Sequence, residues 1–170
     1  YLLSLVTGAQ GAPQLGRVAC LQRGLRRVLP VVGQVLEEVV DRPPLPVLAV
    51  DRRAFEPFWA LGPDGLEEAL TATSAVRFRV AGTPDRVVGY AVCGRSLDTG
   101  YLQRLAVHPD HARQGTGARL VIDALTWLRR RRGHSMLVNT QESNRTAVAL
   151  YRRLGFTLEP EQLTVLSWGR

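Results

Sequence analysis

The sequence predicts an α+β fold, a mixed and mostly antiparallel sheet with helices over its faces, on three observations. Strand-like runs at Ala75 to Ala81, Val87 to Gly94 and Tyr101 to Val107 follow one another across Gly82-Thr83-Pro84-Asp85 and Asp98-Thr99-Gly100, and turns this short join antiparallel neighbours. After Val107 the apolar period lengthens, and Leu120, Val121, Ala124, Leu125 and Leu128 form one helical stripe. Strands and helices then alternate to the end of the chain, and a meander continued in that way is a sheet with helices laid over it.

Taken in order, Val18, Leu21, Leu25, Val28, Leu29 and Val32 recur at helical spacing, with Arg17, Arg23, Arg26 and Arg27 elsewhere and Pro13 and Pro30 as brackets. This predicts an amphipathic helix. Val31 to Val40 is β-branched and predicts a strand, and Asp41-Arg42-Pro43-Pro44 turns the chain into a helical stretch ending near Phe55. A short helix through Leu66 and Leu70 follows, with Asp64 as its expected cap and Glu67 and Glu68 near its start. The long helix after the meander closes at Arg129 to Arg132 and Gly133. Met136 to Thr140 predicts a strand; Ala147, Leu150, Tyr151 and Leu154 mark a helix capped by Asn144 and stopped by Gly155. Thr157 to Trp168 reads as two short strands around Pro160. The domain is expected over 34–170, after a 1–33 extension without an assigned role.

A chain of 170 residues, 45% hydrophobic and 22% charged, suits one domain with a genuine core. No apolar run approaches the ~18 residues of a membrane span, and Tyr1 to Val6 lack the basic leader and cleavage site of a signal peptide. The chain is therefore expected to be cytoplasmic, and a first residue that is Tyr rather than Met suggests a start inside a longer protein. The charge of +7 comes from arginine alone, because the sequence has no lysine. That excludes a Gly-Lys-Ser/Thr phosphate loop and lysine Schiff-base chemistry. A basic balance suits nucleic acid, and equally a cofactor carrying several phosphates. Cys20 and Cys93 have no metal-like spacing and read as reduced packing residues.

Arg113, Gln114, Gly115, Thr116, Gly117 and Ala118 lie between a strand end and the start of the long helix. A helix N-terminus offers unpaired N–H groups and about half a positive charge, and glycines let a phosphate reach the main chain. The segment is thus a candidate pyrophosphate cradle. The dinucleotide fingerprint fails, because its third glycine would fall at Leu120.

Three blocks carry a more specific signal: Leu105-Ala106-Val107-His108-Pro109, Gly115-Thr116-Gly117, and Asn144-Arg145-Thr146-Ala147-Val148-Ala149-Leu150-Tyr151-Arg152-Arg153-Leu154-Gly155-Phe156. In this order the chain resembles the GNAT acetyltransferase superfamily. Phe55-Glu56-Pro57-Phe58-Trp59 resembles the acceptor-side loop of its ribosomal-protein N-terminal (α-amine) acetyltransferase branch. One departure is Ala112, where the family carries Arg or Gln before the glycines.

The resemblance implies a sheet whose fourth and fifth strands splay apart, with the pantetheine arm of acetyl-CoA bonded between them to backbone groups of Leu105, Ala106 and Val107. It implies Asn139 and Asn144 as further partners of the cofactor arm, Asn144 being an expected helix cap as well. Tyr151 is the implied catalytic group, assisting the departing thiolate; packing on the Ala147 to Leu154 face is its other reading. Phe55, Glu56, Trp59 and Gln103 are the expected acceptor contacts, although Phe55, Phe58 and Trp59 equally suit stapling a helix to the sheet, and at least one of Gln103 and Arg104 is expected to face the cleft. The branch tends to carry Glu where this chain has Asn139. A missing base favours an α-amine, about a tenth neutral at pH 7, over a lysine amine, neutral about once in 2,500, unless Glu56 or Glu142 acts through water.

The function so implied is N-acetylation of a primary amine, a protein N-terminus or a small amine, by direct transfer in a ternary complex. A noncatalytic acyl-CoA-binding regulatory module is the alternative. A homodimer is compatible with either. His108, Asp110 and His111 lack a ligand set, so no metal is expected, and Arg129 to Arg132 read as a solvated helix end rather than a nucleic-acid contact.

Overall fold

The computed structural model describes residues 14–25, 36–38, 45–83 and 86–166. Seven strands form one sheet: β1 (Gln14–Gly24), β2 (Leu36–Glu38), β3 (Ala75–Thr83), β4 (Arg86–Ser96), β5 (Thr99–Val107), β6 (Ser135–Gln141) and β7 (Thr157–Leu166). Their order is β2-β3-β4-β5-β6-β1-β7, and every neighbouring pair is antiparallel except β5 and β6. Four helices cross it: α1 (Leu45–Ala54), α2 (Pro63–Thr71), α3 (Thr116–Arg130) and α4 (Arg145–Arg153). The expected mixed, mostly antiparallel fold is therefore observed.

The sheet has two apolar layers because the side chains of each strand alternate between its faces. On one face α1 and α2 bury Val47, Leu48, Val50, Leu66 and Ala69 against Phe78, Val80, Tyr90, Val92 and Ala106. On the other, the α3 stripe of Leu120, Val121, Ala124, Leu125 and Leu128 packs on Ala91, Cys93, Leu102, Met136 and Val138, joined by Tyr151 and Phe156. That helix is tied to β3 by Asp123, which accepts from Arg77 Nε at 2.7 Å and Arg79 Nε at 3.2 Å. Burial pushes the Asp123 carboxyl up, but the Arg77 bond and the two guanidinium charges outweigh it and hold it below the ordinary range.

Several expectations need correction. The stretch beginning at Val18 is not a helix: as far as Gly24 it is strand, and Val28, Leu29 and Val32 lie outside the described residues. β1 is bonded on both edges, to β6 and to β7. Both of its faces are covered, so Val18, Ala19 and Leu21 are all buried, and that continuous apolar run imitates a helical stripe. Residues 14–24, assigned to an extension, thus sit inside the sheet. The tail is one strand rather than two; its register with β1 slips between Ala19 and Leu21, opposite the stretch holding Pro160, which has no N–H for the ladder. Asp64 does not cap α2: Gly62 is the cap residue, Pro63 opens the helix, and Asp64 lies in the first turn without a capping bond. At the end of α3 the left-handed residue is Arg132, with φ of 62°, while the Gly133 N–H donates to the Leu128 carbonyl at 2.9 Å. Of the expected 31–40 strand, Leu36–Glu38 is observed and the rest lies outside the described residues, as does the 41–44 turn.

Candidate active site

The site begins where two strands part. β5 and β6 pair in parallel only from Thr99↔Ser135 to Leu102↔Val138. Beyond that point β5 stays on β4 as far as Gly89↔Val107, and β6 stays on β1 as far as Val18↔Gln141. The sheet therefore opens as a V between Gln103–Val107 and Asn139–Gln141. A register shift opposite Val92/Cys93 leaves Gln103 as the extra residue at the apex. Its side chain lies over Gly94, where an added Cβ would come within 3.0 Å of its amide carbon, and its Oε1 has no partner among the described residues.

Strand geometry fixes which backbone groups face the opening. The His108 N–H donates to the Val88 carbonyl at 2.8 Å, on the β4 side. Successive residues alternate, so Ala106 also turns its N–H and C=O to β4, and those of Leu105 and Val107 face the V. Of the three backbone suppliers expected, the geometry thus brings two to the opening.

The N-terminus of α3 stands beside that edge. A Cβ on Gly117 would meet Leu150 at 3.4 Å and Val107 at 3.6 Å, so the helix start, the end of β5 and α4 converge. Thr116 is buried against Gly89. Ahead of it Arg113 and Gly115 take positive φ, 61° and 84°. The first intrahelical bond runs from the Arg119 N–H to the Gly115 carbonyl at 3.0 Å, so the N–H groups of Thr116, Gly117 and Ala118 have no carbonyl one turn back. A Cβ on Gly115 would point into open space. Arg119 folds back over this turn, its Nη2 3.4 Å from the Gln114 carbonyl and 3.5 Å from Thr116 Oγ1. The unpaired N–H groups and the positive end of the helix form a donor set that a diphosphate fits. Exposed Arg113 and Gln114 flank it.

α4 carries two candidates. Asn144 caps it, its Oδ1 accepting the Ala147 N–H at 3.0 Å; its amide nitrogen is not spent in that cap. Tyr151, one stripe inward, is only 4% exposed and packs 5.6 Å from Phe156. Burial raises its phenol above the ordinary value, while the charge of Arg104, on the opposite face of β5, draws it partly back. Asn139 is exposed on the α1/α2 face of β6, opposite Cys20 of β1.

The acceptor candidates cluster on the α1/α2 face of the opening. Phe55 lies under the Arg104 guanidinium at 3.6 Å, Trp59 gives its carbonyl to Arg104 Nη2 at 2.8 Å, and Glu56 is exposed. Glu142 is not with them; it lines a shallow hollow with Arg145, Val148, Ala149 and Arg152 on the outer side of α4, away from Tyr151. Sequence reasoning missed Asp51, which is fully buried and accepts from Arg104 twice. The signal was there: Asp51 follows Val47 and Leu48 at the spacing that puts all three on the inner face of α1. Among the described residues no three His, Cys, Asp or Glu side chains are gathered to hold a metal, and no helix is long and apolar enough to cross a membrane.

The comparisons with known proteins bear directly on this geometry, a sheet split beside a glycine-rich helix start. A family profile described as "Acetyltransferase (GNAT) family" matches residues 45–156, and the chain belongs to that family. It is 34% identical over 71 residues to [Ribosomal protein bS18]-alanine N-acetyltransferase of Escherichia coli K12, covering 42% of this chain and 48% of that protein. It is 38% identical over 69 residues to N-alpha-acetyltransferase 60 of Drosophila melanogaster, covering 38% and 25%. The matched stretch thus spans about half the length of the first relative or less. Among solved structures, a GNAT-family acetyltransferase of Novosphingobium aromaticivorans superposes with a TM-score of 0.67 at 18% identity, over 94% of this chain and 67% of that one. The Escherichia coli ribosomal-protein-S18-alanine N-acetyltransferase gives 0.62 at 19%, over 81% and 97%. A family member from Elizabethkingia anophelis solved with acetyl-CoA bound gives 0.61 at 17%, over 78% and 97%. These likenesses show the fold.

Proposed function

We propose that this chain transfers an acetyl group from acetyl-CoA to a primary amine of low pKa, a peptide or protein α-amine foremost, directly in a ternary complex. The observation that carries the reading is the V between β5 and β6 with the open helix start of α3 at its edge. The names of the two sequence relatives, both N-terminal acetyltransferases, support the amine class.

In this reading the N–H groups of residues 113–118 grip the diphosphate, and Leu105 and Val107 bond the pantetheine arm as an added strand would. Asn144 and Asn139 reach the arm from α4 and β6. Acetyl-CoA supplies an activated acetyl thioester. A β5 N–H facing the V polarises the thioester oxygen, which asks for geometry rather than a particular side chain. Tyr151 holds its proton across the physiological range and delivers it to the leaving sulfur as the C–S bond breaks. An ordinary phenol at about 10 and a thiol at about 8.5 make complete transfer beforehand uphill by ~2 kcal/mol, so donation accompanies cleavage. Phe55, Glu56, Trp59 and Gln103 bound the acceptor. Asn139 takes no proton, so the amine arrives already neutral by virtue of its low pKa. As its nitrogen bonds the acetyl carbon and the C–S bond breaks, its surplus proton leaves to water, by way of exposed Glu56 as the nearer of the two carboxylates considered, and Tyr151 is reprotonated from solvent.

Mass spectrometry of acetylation against peptides with free α-amines, lysine side chains and small amines tests this. α-Amine peptides are expected to react at least ~10-fold faster than lysine peptides at pH 7, the sense set by the neutral fractions. Faster lysine acetylation contradicts the acceptor class. Acetyl-CoA binding without transfer to any amine instead supports the noncatalytic module.

A further inference from the structure

A carboxylate with no exposed surface needs donors, and Asp51 has four. The Tyr90 hydroxyl donates to it at 2.5 Å, Arg104 Nε and Nη2 at 2.7 Å each, and the Leu61 N–H at 2.7 Å. Three of these donors, the Leu61 N–H and the two of Arg104, belong to the acceptor-side loop or hold it. Leu61 ends the Phe55–Leu61 segment, while Arg104 covers the Phe55 ring at 3.6 Å and donates to the Trp59 carbonyl at 2.8 Å. One ion pair, anchored in α1 and β5 and braced by Tyr90 of β4, therefore fastens the segment at its start, its middle and its end. Within the segment the Glu56 carbonyl accepts from Trp59 and Ala60, and Phe55 and Leu61 pack on the α1/α2 core; the polar side-chain ties go to that pair.

Location gives the pair its meaning. Arg104 follows the extra residue Gln103, at the point where β5 leaves β6, so the loop is tied to the lip of the V. A buried ion pair is seldom more stabilising than apolar residues of the same volume, whereas a bidentate fork with one stacked face fixes direction and distance. Nε and Nη2 of the guanidinium are taken by Asp51 and the Trp59 carbonyl and one of its faces by the Phe55 ring, so its charge is already paired within the protein. Resting on the acetyltransferase reading above, we propose that Asp51 and Arg104 are positioning residues that latch the Phe55–Leu61 segment beside the opened strands and thereby set affinity for the amine acceptor, not for acetyl-CoA.

The test compares the wild type with Arg104→Lys, which keeps the charge but loses the fork and the stacked plane, and with the neutral pair Asp51→Asn/Arg104→Gln. Acceptor KM is expected to rise ~10-fold or more in both variants, while acetyl-CoA affinity by titration calorimetry changes less than ~2-fold. Chymotrypsin should cut at Phe55 or exposed Phe58 ~10-fold faster than in the wild type. Unchanged KM in a folded variant overturns the proposal, even if cleavage accelerates. Should both variants fail to fold, hydrogen exchange on the wild type decides: strong protection of the Leu61 amide supports a closed latch, and exchange at the rate of an unstructured peptide overturns it. If no amine is acetylated by the wild type, the functional reading fails, and proteolysis and exchange still judge the latch.

Discussion

Asp51→Ala is expected to cost about 3–5 kcal/mol of stability, a fall in Tm on the order of 10 °C for a chain this long. The substitution leaves Arg104, whose side chain is 14% exposed, with a buried charge and no carboxylate, and it strips partners from the Tyr90 hydroxyl and the Leu61 N–H. Such losses exceed the worth of the intact pair, because removal of one ion exposes the full desolvation cost of the other. Scanning calorimetry reads the effect directly. A change under about 1 kcal/mol, ordinary for a surface carboxylate, would mean that the four donors are not engaged in solution.

Tyr151→Phe is expected to lower kcat by about 100-fold while leaving acetyl-CoA affinity within roughly 2-fold. The phenyl ring keeps the contacts with Phe156 and the α3 face, so the cavity stays filled and only the hydroxyl is lost. Burial also favours the neutral phenol, so in the wild type the donor stays loaded as pH rises through the range in which the amine loses its proton. Single-turnover kinetics separates the outcomes: a proton donor slows the chemical step, whereas a packing residue leaves it within about twofold.

The parts of this fold written in local sequence were legible. The meander followed from short polar turns, α3 from five apolar residues on one stripe, and α4 from its Asn144 cap and the left-handed Gly155. Each depends on residues a few positions apart, where period and backbone preference act. β1 was not legible, because its identity rests on partners more than a hundred residues away; only pairing with both β6 and β7 makes a strand of an apolar run that also fits a helix. The single tail strand failed to emerge for the same reason, Pro160 being a break in local terms and a bulge once β1 lies opposite.

At the site, the glycines and the α4 motif marked in advance two helix ends that converge beside the opening. The splay itself was implied by resemblance, and its physical origin is the register, four parallel pairs and then none. Backbone direction separated Leu105 and Val107 from Ala106, which sequence grouping did not do. Asp51 was overlooked because a lone acid near the end of a helix usually faces water. Spacing within α1 places it on the inner face, but the donors that give it a role come from β4 and β5, far along the chain.

Thermal unfolding with and without acetyl-CoA tests the site most directly. At ~100 times its Kd the ligand should add about 2.7 kcal/mol, seen as a clear rise in Tm. That rise should exceed any given by ATP or NAD, and it should shrink in Gly115→Val, where a β-branched residue meets a left-handed backbone and projects into the open side of the cradle. No rise with acetyl-CoA, or one that ATP matches and Gly115→Val leaves intact, would contradict the claim that the split sheet and the α3 start form an acyl-CoA site.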